Sequence, residues 1–350
     1  MTDRRNFIKQ LLSLTIGYSL SRNVFPKSVA NRRLISAYLL HLSYNMWEDF
    51  TPLEYINDNY DCDSCQEIRE WAHVLRRKLT FDERTFDILI EEMSAVGINM
   101  LVLDLGDAVK YHTHPEIAVE GAWSPARLRE KLKKIRSVGI EPIPKLNFAT
   151  THDIWMKDYS KMVSTDIYYG VCKDLINEVI DIFDTPRFFH IGMDEETYQH
   201  QRKYEYVVVR QNDLWWKDLL FYIKEVESRG VRPWMWSDYA WSNPELFFEK
   251  MPKSVLQSNW HYGNIYENNK VVDERPVNLY MDLEENGFDQ IPTGSNYSTD
   301  TNMRQTVEHC SEIIHPSRLY GFLIAPWRPT LPQCIDKHKS AISQLHKALL

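Results

Sequence analysis

Residues 125–147 read PARLREKLKKIRSVGIEPIPKLN, and this stretch decides the fold. Its first half spaces Leu128, Leu132 and Ile135 at helical intervals among Lys and Arg, the pattern of a helix with one apolar stripe. Gly139 then supplies the left-handed residue that ends a helix and turns the chain. Ile140 to Asn147 follows as a short apolar run with polar residues at its end, the mark of a strand buried on both faces.

The unit recurs. Phe86–Ala95 precedes Gly97 and the run Ile98 to Asp104; Trp216–Glu227 precedes Gly230 and Val231 to Trp236; Leu279–Glu285 precedes Gly287 and Phe288 to Ser295. Ile35–Leu42, Arg187–Gly192, Ser254–Trp260 and Leu319–Ala325 complete a set of eight expected strands, with a helix over Cys172–Phe183 leading into Arg187. Eight strand-helix units in this length predict a (β/α)8 TIM barrel, class α/β, over residues 31–350. A doubly wound open sheet is the competing arrangement, but the chain has no G-x-G-x-x-G or phosphate loop.

Residues 1–30 differ from the rest. Arg4-Arg5-Asn6-Phe7-Ile8-Lys9 leads into an apolar run from Leu11 to Leu20, and Ser28-Val29-Ala30 has the small residues of a cleavage site. The segment reads as a twin-arginine-like export signal, too short to span a bilayer, with an amphipathic helix as the alternative. It implies an exported, periplasmic or extracellular bacterial protein with no membrane attachment after the signal is removed. The 350 residues carry a formal charge of −8 and are 43% hydrophobic and 26% charged, which excludes a disordered chain and disfavours a nucleic-acid binder. Cys62, Cys65, Cys172, Cys310 and Cys334 are an odd set with a single C-x-x-C, so no metal site is expected of them, and the chemistry read below needs no cofactor. The 11 Trp, 19 Tyr and 14 Phe suit either a large core or platforms for a ligand.

In a barrel of this kind chemistry gathers at the C-terminal strand ends. Those ends carry His41, Tyr44, Asn45 and Trp47; Asp104 and Asp107; Lys145, Asn147 and His152; His190 and Asp194-Glu195-Glu196; Trp234, Trp236 and Asp238; Asn259, Trp260 and His261; Ser295, Asn296 and Tyr297; and Trp327 with Arg328. Tryptophan faces pack on the C–H faces of sugars, and sugar hydroxyls need carboxylate, amide and imidazole partners. The acidic triple suits a general acid, because adjacent buried carboxylates push at least one pKa upward. It equally suits a solvated acidic helix N-terminus.

His190-Ile-Gly-Met-Asp194-Glu195 resembles the H-x-G-G-D-E motif of the glycoside hydrolase family 20 β-N-acetylhexosaminidases. Gly139 to His152 is similar to that family's G-I-x-x-I-P-E-x-D-x-P-G-H, and Asn99 to Asp107 to its N-x-x-x-x-H-x-x-D. The resemblance covers most of residues 35–330. It implies a retaining glycosidase in which the substrate's own 2-acetamido group attacks the anomeric carbon. Glu195 would then be the acid/base and Asp194 the stabiliser of the acetamido nitrogen. Tyr297, with Tyr280 in reserve, would contact the acetamido oxygen. Trp236, Trp260 and Trp327 would wall the sugar pocket, Asp107 and His152 would tune the acid, and Asn147 and Asp238 would contact substrate. A barrel that binds glycans without cleaving them, and a glycosidase whose nucleophile is Asp238 or Glu196, are the alternatives. Five departures stand out. Lys145 and Asn147 replace the family's Glu and Asp, Met193 replaces the second Gly, and Pro329 replaces a Glu after the last Trp. The strand-one Arg has no counterpart. The sugar, the linkage and the oligomeric state do not follow from sequence.

Overall fold

The computed structural model describes residues 33–46, 75–202, 204 and 206–350. The export-signal reading, Trp47 and the Cys62/Cys65 pair lie outside them. Within the unit Leu34–Leu350, strands β1 (Ile35–His41), β2 (Met100–Asp104), β3 (Glu141–Lys145), β4 (Phe188–His190), β5 (Arg232–Trp236), β6 (Leu256–Ser258), β7 (Thr293–Gly294) and β8 (Gly321–Ile324) form one parallel sheet. Its order is β6-β5-β4-β3-β2-β1-β8-β7. Parallel bridges Gln257–Gln290 and Trp260–Thr293 join its two edges and close the barrel.

A helix follows each strand: α1 (Glu83–Ala95), α2 (Pro125–Ser137), α3 (Asp166–Ile182), α4 (Asp213–Ser228), α5 (Pro244–Lys250), α6 (Arg275–Glu285), α7 (Asn302–Ile313) and α8 (Ile335–Ala348). Local chemistry sets their ends. In α2 the Ser124 side chain accepts the Arg127 N–H, Pro125 opens the first turn and Lys134 and Arg136 close the last. Gly97, Gly139, Gly230 and Gly287 all have φ between 72° and 83°, and a Cβ at any of them would meet nothing within 4 Å. These glycines serve the left-handed turn into the next strand, not close packing.

The strands alternate cleanly. Ile35, Ala37, Leu39, Met100, Val102, Ile143 and Leu323 fill the barrel interior, while Tyr38, Leu40, Leu101 and Leu103 pack outward against the helices. In β3 two prolines sit in a central strand, a position that normally argues against a strand. In a parallel strand alternate residues bond alternate neighbours. The Glu141 N–H reaches Asn99 on the β2 side, while the Leu146 N–H reaches His190 on the β4 side. Pro142 and Pro144 therefore fall on the β4 side, where pairing thins to Lys145 opposite His190. The interior alternation ends in a polar layer, with His41, Asp104, Lys145 and His190 all buried at the C-terminal rim.

Candidate active site

β4 ends at His190, and the chain then runs through Gly192 (φ 74°), Met193 (φ 77°) and Glu195 (φ 55°). Left-handed backbone at a non-glycine residue costs roughly 1–2 kcal/mol each, so neighbouring groups must hold it. They do so from both flanking strands. The Gly192 N–H donates to His190 Nδ1 (3.1 Å), the Met193 N–H to Asn147 Oδ1 (3.1 Å) and the Glu195 N–H to Asp238 Oδ2 (2.8 Å). Thr151 Oγ1 donates to the Glu195 carbonyl (2.7 Å). Met193, standing where the family motif has its second glycine, keeps the φ a glycine would adopt. His190 can accept because burial and the Lys145 charge hold its pKa well below the usual imidazole value.

The corner at the end of β4 is compact. His152 Nε2 lies 3.4 Å from Asp194 Oδ2 and 3.2 Å from Glu195 Oε2. Asn147 Nδ2 donates to Asp194 Oδ1 at 2.8 Å. Burial works to lower the His152 pKa, but the two carboxylates outweigh it and push it up to about 10. Burial likewise works to raise Asp194, while the His152 charge and hydrogen bond, Lys145 and Asn147 hold it well below the carboxylate range. Asp194 is thus ionised and His152 cationic at neutral pH. Glu195 is the open member, its side chain 26% exposed. From the solvent side His200 Nε2, on a single helical turn at Tyr198–Gln201, lies 3.5 Å from Glu195 Oε1. His152, Asp194 and Glu195 each offer a ligand atom within 4.8 Å of the others, so they could hold a metal ion. No sequence spacing announces this, because the three come from two different strands.

The sequence places the raised carboxyl inside the acidic triple; the group held high at this strand end is Asp238. Burial and the nearby Asp194 push it up to about 8. Glu196 is committed elsewhere: its Oε1 accepts the Arg210 N–H (3.0 Å) and Nε (2.9 Å), and Arg210 also pairs with Asp218 at 3.2 Å. Glu196 thus anchors a loop. Asp107 is pushed up to about 6 by burial, against hydrogen bonds from Ser43 and Asn45, whose Nδ2 lies 2.8 Å from Oδ2. His152 is therefore braced by Asp194 and Glu195, while the Asp107 oxygens serve the loop after β1.

Trp260 and Trp327 are partly exposed and pack against the inner barrel cluster, whereas Trp236 is fully buried with its ring 6.1 Å from Trp327. The rings open to a ligand are Trp260 and Trp327, and Trp236 lies behind them. Tyr297 packs with Tyr44, Met46 and Trp327. Tyr280 is sealed in α6 at 0% exposure. Sequence reasoning missed Tyr262, two residues past Trp260 in a loop without periodicity. Its ring stacks on Trp260 at 4.9 Å and lies 6.3 Å from Tyr297. Its hydroxyl accepts from Trp327 Nε1 at 2.9 Å. Burial raises its pKa well above normal, with Asp194, Glu195 and Asp238 adding to the rise, so these three carboxylates act on its hydroxyl.

The family's Glu and His positions on β3 and β2 are Lys145 and Asp104. The two form a buried ion pair, and His41 Nδ1 lies 3.4 Å from the same Asp104 oxygen.

No family model and no curated protein matches the chain by sequence. Solved structures do match by shape. A structure of Dispersin B superposes with a TM-score of 0.54 at 16% identity, covering 76% of this chain and 95% of that one. The GH20 β-N-acetylhexosaminidase of Streptomyces coelicolor A3(2) gives 0.58 at 12% identity, covering 90% of this chain and 65% of that one. The GH20 exo β-N-acetylglucosaminidase of Vibrio harveyi, in complex with N-acetylglucosamine, gives 0.55 at 12% identity, covering 89% and 55%. This chain spans less than two thirds of either of the latter two. The likeness is one of fold: the chain carries the (β/α)8 barrel that these glycosidase structures contain.

Proposed function

We propose that the chain is an exported glycoside hydrolase that removes a terminal β-linked N-acetylhexosamine, or a related amino sugar, by a retaining, substrate-assisted mechanism. The observation that carries this reading is the corner at the end of β4, where His152 bridges an ionised Asp194 and the open Glu195. The match in fold to hexosaminidase barrels supports it, as does a Vibrio harveyi relative in shape solved with N-acetylglucosamine.

The roles follow from the electrostatics. Asp194 stays anionic, with one oxygen fixed by Asn147. Such a fixed charge stabilises positive charge as it develops on the acetamido nitrogen during attack on the anomeric carbon. Glu195 protonates the leaving oxygen and later takes a proton from water. His152 holds its proton 3.2 Å from Glu195 Oε2, so the corner can supply the acid with a proton once a sugar has displaced water. Tyr262 already accepts from Trp327, which leaves its own O–H to donate to the acetamido oxygen; Tyr297 is its neighbour on that wall. Trp260 and Trp327 take the sugar's C–H face. Asp238 is held neutral to about pH 8 and pins Glu195, which makes it a poor nucleophile. The partner is a glycan, and neither nucleic acid nor a membrane is involved once the signal is gone.

The test is hydrolysis of aryl β-glycosides of GlcNAc and GalNAc. Glu195→Gln should lower turnover by about 10²–10⁴, the usual worth of a general acid/base. Wild-type turnover in that variant, or glycan binding by the parent protein without any hydrolysis, would refute the proposal.

A further inference from the structure

We propose that His152, Asp194 and Glu195 form a binding site for Zn²⁺, or a divalent transition ion of the same borderline character, with His200 bracing Glu195 from the solvent side, and that its occupation shuts the sugar site. The binding claim rests on geometry alone; the inhibition claim rests on the hydrolytic reading above.

Zinc binds nitrogen and oxygen donors at about 2.0–2.2 Å in a tetrahedron, so donor atoms of one site stand about 1.6 times that distance apart, roughly 3.3–3.6 Å. The gaps here are 3.4 Å from His152 Nε2 to Asp194 Oδ2 and 3.2 Å from His152 Nε2 to Glu195 Oε2, and the three residues offer ligand atoms all within 4.8 Å of one another. The donor set is one imidazole and two carboxylates, so a divalent ion taking the place of the His152 proton leaves the corner electrically balanced, with the fourth position open to water. Mg²⁺ and Ca²⁺ prefer all-oxygen shells and fit it poorly.

The supporting shell is also in place. Carboxylates that bind a metal are in turn held by outer hydrogen-bonding groups, which orient them. His200 Nδ1 lies 2.7 Å from Thr197 Oγ1, which turns Nε2 toward the outer Glu195 oxygen, Oε1, 3.5 Å away. Asn147 occupies Asp194 Oδ1, which leaves Oδ2 toward His152. An ion has a way in, because the Glu195 side chain is 26% exposed and that of His200 46%. An ion seated there takes the lone pairs with which Glu195 and Asp194 would serve a sugar.

The experiment titrates Zn²⁺ by calorimetry into the full chain stripped with a chelator and carrying Cys62→Ser and Cys65→Ser, which removes the one C-x-x-C as a rival site. Cys172, Cys310 and Cys334 are buried. The expected result is one Zn²⁺ per chain, visible Co²⁺ bands of four-coordinate type on substitution, and a Kd at least about tenfold weaker in His200→Ala. His200 is half exposed, so that variant keeps the fold even where His152→Gln is too destabilised to use. Absence of saturable binding up to about 1 mM Zn²⁺, or an unchanged Kd in His200→Ala, overturns the site. If binding holds and aryl glycosides are cleaved, Zn²⁺ should inhibit, with reversal by chelator and a matching loss of sensitivity in His200→Ala. If binding holds and no glycoside is cleaved, the hydrolytic reading fails and the metal site stands.

Discussion

His152→Gln is the sharpest probe of the corner at the end of β4, because one charge is held there against burial by two others. At an effective dielectric of about 20, a unit charge 3.2–3.4 Å from each of two carboxylates gains about 5 kcal/mol from each, roughly 10 kcal/mol gross. A pKa of about 10, against an ordinary value near 6.5, corresponds to a net of about 5 kcal/mol. The difference, also about 5 kcal/mol, is the cost of burying the imidazolium, a sensible size for a side chain at 2% exposure. The folded pKa lies above the unfolded one, so the stabilisation is complete below about pH 6.5 and is lost as pH rises through about 10. Glutamine keeps a polar amide but no charge. The stability gap between wild type and His152→Gln should be up to about 5 kcal/mol at pH 6, about 3 at pH 8 and under 1 at pH 10. Urea unfolding midpoints of both proteins across that range measure it. A gap that stays flat from pH 6 to pH 10, or that is negligible at pH 6, would show that His152 is neutral and that the charges assigned to this corner are wrong.

Gly192→Ala should unfold about 2–5 kcal/mol more easily. The new Cβ would lie 1.9 Å from Asn147 Oδ1 and 2.7 Å from Asn147 Cα, at a φ of 74°, and a denaturation curve matching wild type would contradict this. Asp238→Asn should stabilise the protein by a few kcal/mol at pH 8, with the gain growing from about pH 4, because a carboxyl held at about 8 makes the folded state bind the extra proton. A variant less stable than wild type at pH 8 would reverse that reasoning. Lys145→Glu, which supplies the family residue alone, should cost about 3–5 kcal/mol by leaving two buried acids face to face. Adding Asp104→His should recover at least about 1 kcal/mol in a double-mutant cycle, and strict additivity would show that the two positions are uncoupled.

The barrel was legible because its signals are local. Four helix-Gly-strand units at Gly97, Gly139, Gly230 and Gly287 repeat one capping geometry, and the inward residues of β1, β2 and β3 follow strict alternation. Asp194, Glu195, His152 and Asn147 were legible as strand-end residues, and they do meet. What escaped depends on contacts between distant segments. Tyr262 lies in a loop and His200 on a single helical turn, neither with a period to read; Tyr262 bonds Trp327 and His200 stands beside Glu195. The choice of Asp238 as the raised carboxyl depends on its distance from Asp194 in space, which chain order does not encode. Nor does the order of residues 194–196 show that Arg210, fourteen positions on, takes Glu196 out of the chemistry.

The departures from the family pattern fall into two physical kinds. Met193 and Asn147 both serve the turn after β4: Met193 holds its left-handed backbone, and Asn147 bonds both that turn and Asp194. Asp104 and Lys145 change the chemistry, but they change it together, as adjacent inward residues on paired strands. Neither could be tolerated singly at near-zero exposure, since a lone buried charge costs more than a buried pair can return. Their ion pair also engages the one carboxylate that the inward face of β2 or β3 offers at this layer, and His41 lies 3.4 Å from the same Asp104 oxygen. No free acid is left there to accept hydroxyl protons from a sugar. The corner that would act on the acetamido group keeps its two carboxylates, while the floor beside it is closed by charge pairing. On the proposed function, selectivity would then rest on the rim residues Trp260, Tyr262, Tyr297 and Trp327, and a screen of sugars altered at the ring positions away from the acetamido group is where a preference should show.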